Sequence, residues 1–257
     1  MTKRNRKSPA VKTSVSEAAF LEGYDPSLYE RPSVTVDVVL LTVREDALFT
    51  LVVRRAEHPF RGRWALPGGF VQITEPLDTA AERVLRTKCS LEQVYLEQLA
   101  TFGAPERDPR MRVISVAYYA LVDAKRFDAS LERADEVTVA RVSVPWEGET
   151  GGCAHLEGAA GKAMPLAFDH EDILGLAVKR IRGKLDYSPI GFQLLPERFT
   201  LLELQGVHEI VLGRALNKDS FRRRMLASGD LVATGEMQSG VGHRPAELYR
   251  FLERSAV

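Results

Sequence analysis

The chain of 257 residues carries 35 basic and 35 acidic side chains, so its overall charge points to no anionic partner. An apolar share of 45% with 27% charged residues belongs to a soluble globular protein, and no apolar run approaches the roughly 20 residues of a membrane span, which excludes a membrane protein. Cys89 and Cys153 are too few for a disulfide framework or a cysteine zinc site. The first residues lack the apolar stretch of a secretory signal, so a cytoplasmic address is expected.

In chain order, Lys3, Arg4, Arg6, Lys7 and Lys12 precede the first acid, Glu17. This reads as a basic N-terminal arm over residues 1–29, either a solvated tail or an arm touching nucleic acid. "SVTVDVVLLTV" (33–43) and "LFTLVVRR" (48–55) are rich in β-branched residues and predict a strand pair across "REDA". "WALPGG" predicts a short strand and turn. Between Glu75 and Lys88, apolar positions at Leu77, Ala80, Ala81, Val84 and Leu85 recur at helical spacing, with Pro76 suited to a first turn. "RVISVAYYALVD" (112–123) and "EVTVARVSVPW" (136–146) predict two more strands, hence a mixed sheet covered by helices. The small, flexible residues of 147–165 predict a loop. "FDHEDILGLAVKRIRGKL" predicts a helix with an acidic start and a basic end, closing a first domain at 30–184.

The remaining segment, 185–257, offers Thr200 as N-cap with Glu203 as capping-box partner, then Gly213 as the stop. "RALN" leads into "NKDSFRRRMLASG", a second helix capped by Asn217. "DLVATGEMQSGVGHRPAELYRFL" then reads as strand, glycine-rich loop, strand. Helix, short turn, helix and hairpin is the order of a winged helix-turn-helix. On the second helix, Phe221 and Met225 face the core while Arg222, Arg223 and Arg224 lie among the polar positions. Lys218 and Ser220 near its start suit phosphate contacts, and the arginines suit guanine edges or phosphates. His243 and Arg244 on the glycine-rich tip suit a wing that enters the minor groove or grips a phosphate. With Thr200, these are the expected DNA-contacting residues.

"GGFVQITEPLDTAAERVLRTKCSL" resembles the Nudix box, a loop, helix and loop that binds metal and pyrophosphate. Gly69 matches its glycine, Glu75 its first glutamate, Arg83 its arginine, and Leu85 and Leu91 its apolar positions. Val84, Thr87 and Lys88 stand where the family has glutamates, and Ser90 replaces the closing glycine. Positions 84, 87 and 88 share one helix face, which would aim three carboxylates at one magnesium cluster. Here that face has none, and Lys88 at about 4 Å from Mg²⁺ would be repelled by roughly 8 kcal/mol at an effective dielectric of about 20. Glu75, Glu82 and Glu92 lie at different helical phases and do not assemble a substitute. Anhydride hydrolysis needs that metal, so a catalytically inactive domain with no metal site and no required cofactor is expected.

Such a domain can still bind. Lys88 and Arg83 could hold a pyrophosphate directly by charge. The resemblance to Nudix proteins that handle ADP-ribose implies Arg55, Trp64, Gly69, Phe70 and Glu75 near the ligand. Trp64 reads equally well as core, Arg55 as half of a surface ion pair, and Arg83 as a tie between the box helix and the glycine loop.

Taken together, the degenerate box, "LAFDHEDIL", "FQLLPERFTLLELQ", "NKDSFRRRM" and "GHRPAELYRF" resemble the Nudix-related transcriptional regulators of NAD metabolism, the NrtR family, from Arg31 to Leu252. The resemblance implies an α/β mixed-sheet Nudix fold plus a C-terminal winged helix-turn-helix. It further implies a homodimeric repressor that binds a palindromic operator in double-stranded DNA near NAD biosynthesis or salvage genes, with ADP-ribose or a related nucleotide as effector. The competing reading is an active ADP-ribose or NADH pyrophosphatase whose C-terminal domain serves dimerisation.

Overall fold

A computed structural model describes residues 16–252, apart from 135, 186, 241 and 243. The basic cluster Lys3 to Lys12 lies outside the described residues. Residues up to Pro32 cluster as one unit and those from Ser33 onward as another. In the first, Ser16 caps helix α1 (Glu17–Gly23), and Tyr24 stacks on Tyr29 with ring centroids 6.2 Å apart.

The second unit is built on a sheet of β1 (Ser33–Arg44), β2 (Ala47–Arg54), β3 (Trp64–Ala65), β4 (Gly68–Phe70), β5 (Tyr95–Phe102), β6 (Val113–Leu121), β7 (Val137–Ser143) and β8 (His155–Glu157). The order is β5-β6-β1-β2-β7-β8, with β3 on β2 and β4 on β1. Among the described strand pairs only β1 and β6 run parallel, from Ser33↔Val113 to Leu41↔Leu121, so the sheet is mixed. β1 and β6 are buried almost end to end because both faces are covered. Successive side chains of β1 point to opposite faces. Val36, Val38 and Leu40 meet helices α2 (Leu77–Cys89) and α3 (Ala124–Leu131) through Ala80, Ala81, Val84, Leu85 and Phe127. Val39 and Leu41 meet helix α4 (His170–Lys184) through Ile173, Leu174, Ala177, Val178 and Ile181.

That second core does not end with α4. It continues through Leu185, Ile190, Phe192 and Phe199 into helix α5 (Leu201–Leu212), helix α6 (Lys218–Ala227) and the hairpin β9 (Leu231–Met237) and β10 (Glu247–Phe251). A boundary at 184/185 therefore falls inside a shared core. Burial of Phe221 and Met225 at four-residue spacing fixes α6 on this core and turns its arginines outward.

In the second unit, β5 and α3 formed where the sequence pattern had announced no element. A third, β8, corrects the loop expected over 147–165. Leu156 is buried and pairs with Val142, an edge position supplied by β7 that a three-residue strand does not advertise. Among the described residues no helix is long and apolar enough to cross a membrane.

Candidate functional site

A cleft of about 650 Å³ opens at β1, β2, the β3–β4 turn, the 107–113 segment and the start of α4. Its floor is Asp37 on β1. Ser115 Oγ donates to Asp37 at 2.5 Å, and Arg107, itself bidentate to Asp169 at 2.6 and 2.9 Å, approaches it at 3.6 Å. Gly68 makes this packing possible: a Cβ there would stand 2.2 Å from Asp37 Oδ1 and 2.8 Å from the Val36 carbonyl. His170 Nδ1 accepts the Leu66 N–H at 2.9 Å, which places its proton on Nε2, 3.7 Å from Asp37. Burial holds the imidazole pKa below its ordinary value despite the nearby carboxylates.

Arg107 and Arg110 are thus committed to Asp169 and Asp108. Arg54, Arg55 and Lys88 remain as cations on the wall, and Lys88 forms no ion pair with a described residue. Arg55 Nε donates to the Pro59 carbonyl at 2.7 Å, and its guanidinium lies 4.7 Å from the Phe168 ring centroid. Phe168 packs edge-on to Phe60 and holds a left-handed backbone, φ 56°, a conformation that costs about 1–3 kcal/mol in a non-glycine residue and concentrates at binding sites.

The α2 face that a metal would need is closed to one. Val84 is 1% exposed, the Thr87 hydroxyl donates to the Arg83 carbonyl at 2.8 Å, and Lys88 carries the wrong charge. Glu75 is bound to Arg83 at 2.6 and 2.7 Å and accepts the Gln72 N–H at 3.2 Å, and the guanidinium holds its carboxyl below the usual range. These residues do not fit a magnesium ion.

At the other end of the unit, the Thr200 hydroxyl accepts the Glu203 N–H at 3.2 Å and the Glu203 carboxylate accepts the Thr200 N–H at 2.6 Å. Gly213, φ 69°, ends α5. Glu209 accepts the Leu216 N–H at 2.7 Å, closing the turn into α6, where Asn217 caps Ser220 at 3.0 Å. Lys218, Ser220, Arg222, Arg223 and Arg224 are exposed along α6, and Arg244 is exposed in the hairpin loop.

Comparison with known proteins decides the family. Residues 191–251 match the NrtR DNA-binding winged helix domain, and residues 31–149 match the NUDIX domain. The "ADPR responsive transcriptional repressor NtrR" of Acinetobacter baylyi is 38% identical over 238 residues, covering 92% of this chain and 88% of its own. The chain belongs to the NrtR family. A crystal structure of Shewanella oneidensis NrtR complexed with a 27mer DNA is 35% identical, with a TM-score of 0.70, over 85% of this chain and 93% of that one. An ADP-ribose pyrophosphatase of Methanocaldococcus jannaschii is 35% identical over 91 residues, 35% of this chain and 52% of the enzyme.

Of the residues named from the sequence, the cleft of this NrtR chain is lined by Arg55, Gly69, Phe70 and Lys88 but not by Trp64, Glu75 or Arg83. The Trp64 ring packs against the larger core with Arg54 6.0 Å from its centroid, and Phe168 supplies the aromatic wall instead. Glu75 and Arg83 tie the box together, Arg83 also donating to the Phe70 carbonyl at 3.0 Å. Thr200 is 3% exposed and its hydroxyl accepts from its own helix, so the structure places it as a helix cap rather than among the exposed residues of α6. His243 lies outside the described residues. Sequence reasoning missed Asp37, Arg107, Phe168 and His170. The signals were an aspartate inside an otherwise apolar strand, "VTVDVV", and a histidine at a helix start.

Proposed function

We propose that this protein is a transcriptional repressor in which the winged helix, residues 185–257, reads a palindromic operator in duplex DNA. The Nudix half, 30–184, holds ADP-ribose or a related NAD-derived nucleotide without hydrolysing it. Residues 1–29 form a separate N-terminal arm. The observation that carries the reading is Lys88, a cation without an ion-pair partner among the described residues, lining the cleft from the helix that would otherwise present metal-binding carboxylates. A unit charge pair at about 4 Å is worth about 4 kcal/mol at an effective dielectric of 20. Lys88 with Arg54 and Arg55 can therefore neutralise a pyrophosphate but cannot activate a water. Binding without turnover suits a sensor, because the signal survives its receptor.

On the DNA side, Arg222, Arg223 and Arg224 are placed for base edges or phosphates, with Lys218, Ser220 and Arg244 on phosphates. A homodimer would set two such helices roughly one helical turn or a multiple apart. The nucleotide acts by binding the operator-competent and incompetent geometries with different affinity. Genes of NAD biosynthesis or salvage are the proposed targets, read in the cytoplasm.

The test is selection of genomic fragments by the purified chain, with and without ADP-ribose, beside an assay for AMP release with Mg²⁺. Enrichment of a palindrome near NAD-pathway genes that responds to the nucleotide, with no AMP formed, is the expected result. Enzyme-like AMP release without duplex binding would make the chain a pyrophosphatase.

A further inference from the structure

A second concavity, of about 990 Å³, lies away from the effector cleft. It runs between the C-terminal end of α2, the α3 helix, and the Pro196–Arg198 segment that feeds α5. Arg86, Lys125, Arg126, Arg133 and Arg198 line it, against three acids, Glu92, Asp123 and Glu197. Asp123 is directed at its own helix, accepting the Arg126 N–H at 3.1 Å. Arg126 donates to the carbonyls of Glu92 and Gln93 at 2.5 and 3.1 Å, and Arg133 to that of Ala129 at 3.0 Å. A carbonyl satisfies an N–H but leaves the guanidinium charge uncompensated. Of the five cations, only Arg198 is ion-paired among the described residues, to Glu236 at 2.5 Å. All five are exposed, so no core demands them.

Their layout suits an extended polyanion. Lys125 and Arg133 are eight residues apart along α3 and its end, about 12 Å at 1.5 Å per residue, with Arg86 on the facing helix. Each DNA strand carries one phosphate per about 3.4 Å of helix axis, so a row of about 12 Å exceeds the reach of one phosphate. The groove is also continuous with the winged helix. Phe199 and Tyr249 exchange both backbone hydrogen bonds, at 3.0 and 2.8 Å, and the Arg198–Glu236 pair joins the groove wall to β9, the first strand of the wing.

We infer that this groove holds the sugar-phosphate backbone of operator DNA flanking the stretch read by α6, so that the Nudix half is itself part of the DNA interface. The inference rests on the winged helix being a DNA-binding unit. Its occupant carries no sequence information to the protein: the contacts are charge on phosphate, and they position the helix.

The experiment compares the full chain with an Arg86→Ala/Arg133→Ala variant by measuring operator affinity across salt concentrations. Each phosphate contact contributes about 0.9 to the slope of log affinity on log salt, so the variant's slope should be shallower by nearly 2. Affinity near 0.1 M salt should fall about 10- to 100-fold, equally for operator and for random duplex, with ADP-ribose affinity unchanged. Should the alanine pair lower the unfolding midpoint, Arg86→Gln with Arg133→Gln makes the same comparison. A variant with the parent's slope and affinity overturns the groove assignment and leaves the winged helix standing. Failure of the parent chain to bind any duplex overturns both.

Discussion

In the proposed function, Lys88 is the residue on which the division between sensing and catalysis turns. Its replacement by alanine should weaken ADP-ribose binding by about 1.5–3 kcal/mol, the range of a hydrogen bond to a charged group, read by titration calorimetry. Lys88→Glu should not produce Mg²⁺-dependent AMP release, because one carboxylate beside the buried Val84 and the engaged Thr87 hydroxyl does not make a site. Appearance of turnover in that variant would mean that other carboxylates complete it. His170 makes a separate prediction. Its folded pKa lies below the ordinary value near 6.5, so as pH falls the unfolded chain takes up this proton first. Its contribution to stability is therefore fully present above about pH 6.5 and declines below it. Denaturation midpoints taken from pH 7.5 to 5.5 should fall, and His170→Gln should flatten that decline.

At the scale of elements, α5 and α6 separate fold from function within one short span. Thr200→Ala removes a cap and should cost about 1 kcal/mol in unfolding free energy while leaving the salt slope of DNA binding alone. Arg222→Ala with Arg223→Ala should do the reverse, leaving stability within about 0.5 kcal/mol and making the slope shallower by about 2. Between these helices and the Nudix sheet stands Arg182 of α4. Its guanidinium donates to the carbonyls of Val211 at 2.7 Å, Trp146 at 3.2 Å and Gly148 at 2.9 Å, and lies 4.6 Å from the Trp146 ring. Val211 is in the last turn of α5, where carbonyls lack helical partners and the dipole favours a cation. Arg182→Met leaves those acceptors without their donor, and a loss on the order of 3 kcal/mol is expected in chemical denaturation.

For the whole molecule, the shared core means that the Nudix sheet and the winged helix do not move as beads on a string. α4 begins at the cleft with His170 and is bonded to α5 through Arg182 near its other end, about 18 Å of helix in one piece. If ADP-ribose changes operator affinity by some factor, the operator must change ADP-ribose affinity by the same factor. Titrations of nucleotide with and without operator measure this factor, and a factor of one would mean that the two sites are not coupled.

Much of this protein was legible in its residues alone. The strand pair β1–β2, the box helix, α4, the capping box of α5 and the amphipathic α6 each carry a local signal, either a period or a cap, that needs no distant partner. That positions 84, 87 and 88 share one helix face without a carboxylate was equally legible, because i, i+3 and i+4 positions on a helix are neighbours whatever surrounds them. Placement was not. Whether Trp64 faced core or ligand depended on where 165–168 returned to β3, and Phe168 took the cleft position from a hundred residues away. Asp37, Arg107 and His170 meet only because the sheet brings β1, the 107–113 segment and α4 to one edge. Thr200 could be named a cap from sequence, but its burial depended on how α5 packs. Contacts along one element follow from spacing in the chain, whereas contacts between elements depend on how the sheet and helices pack, and packing is decided by the tertiary structure.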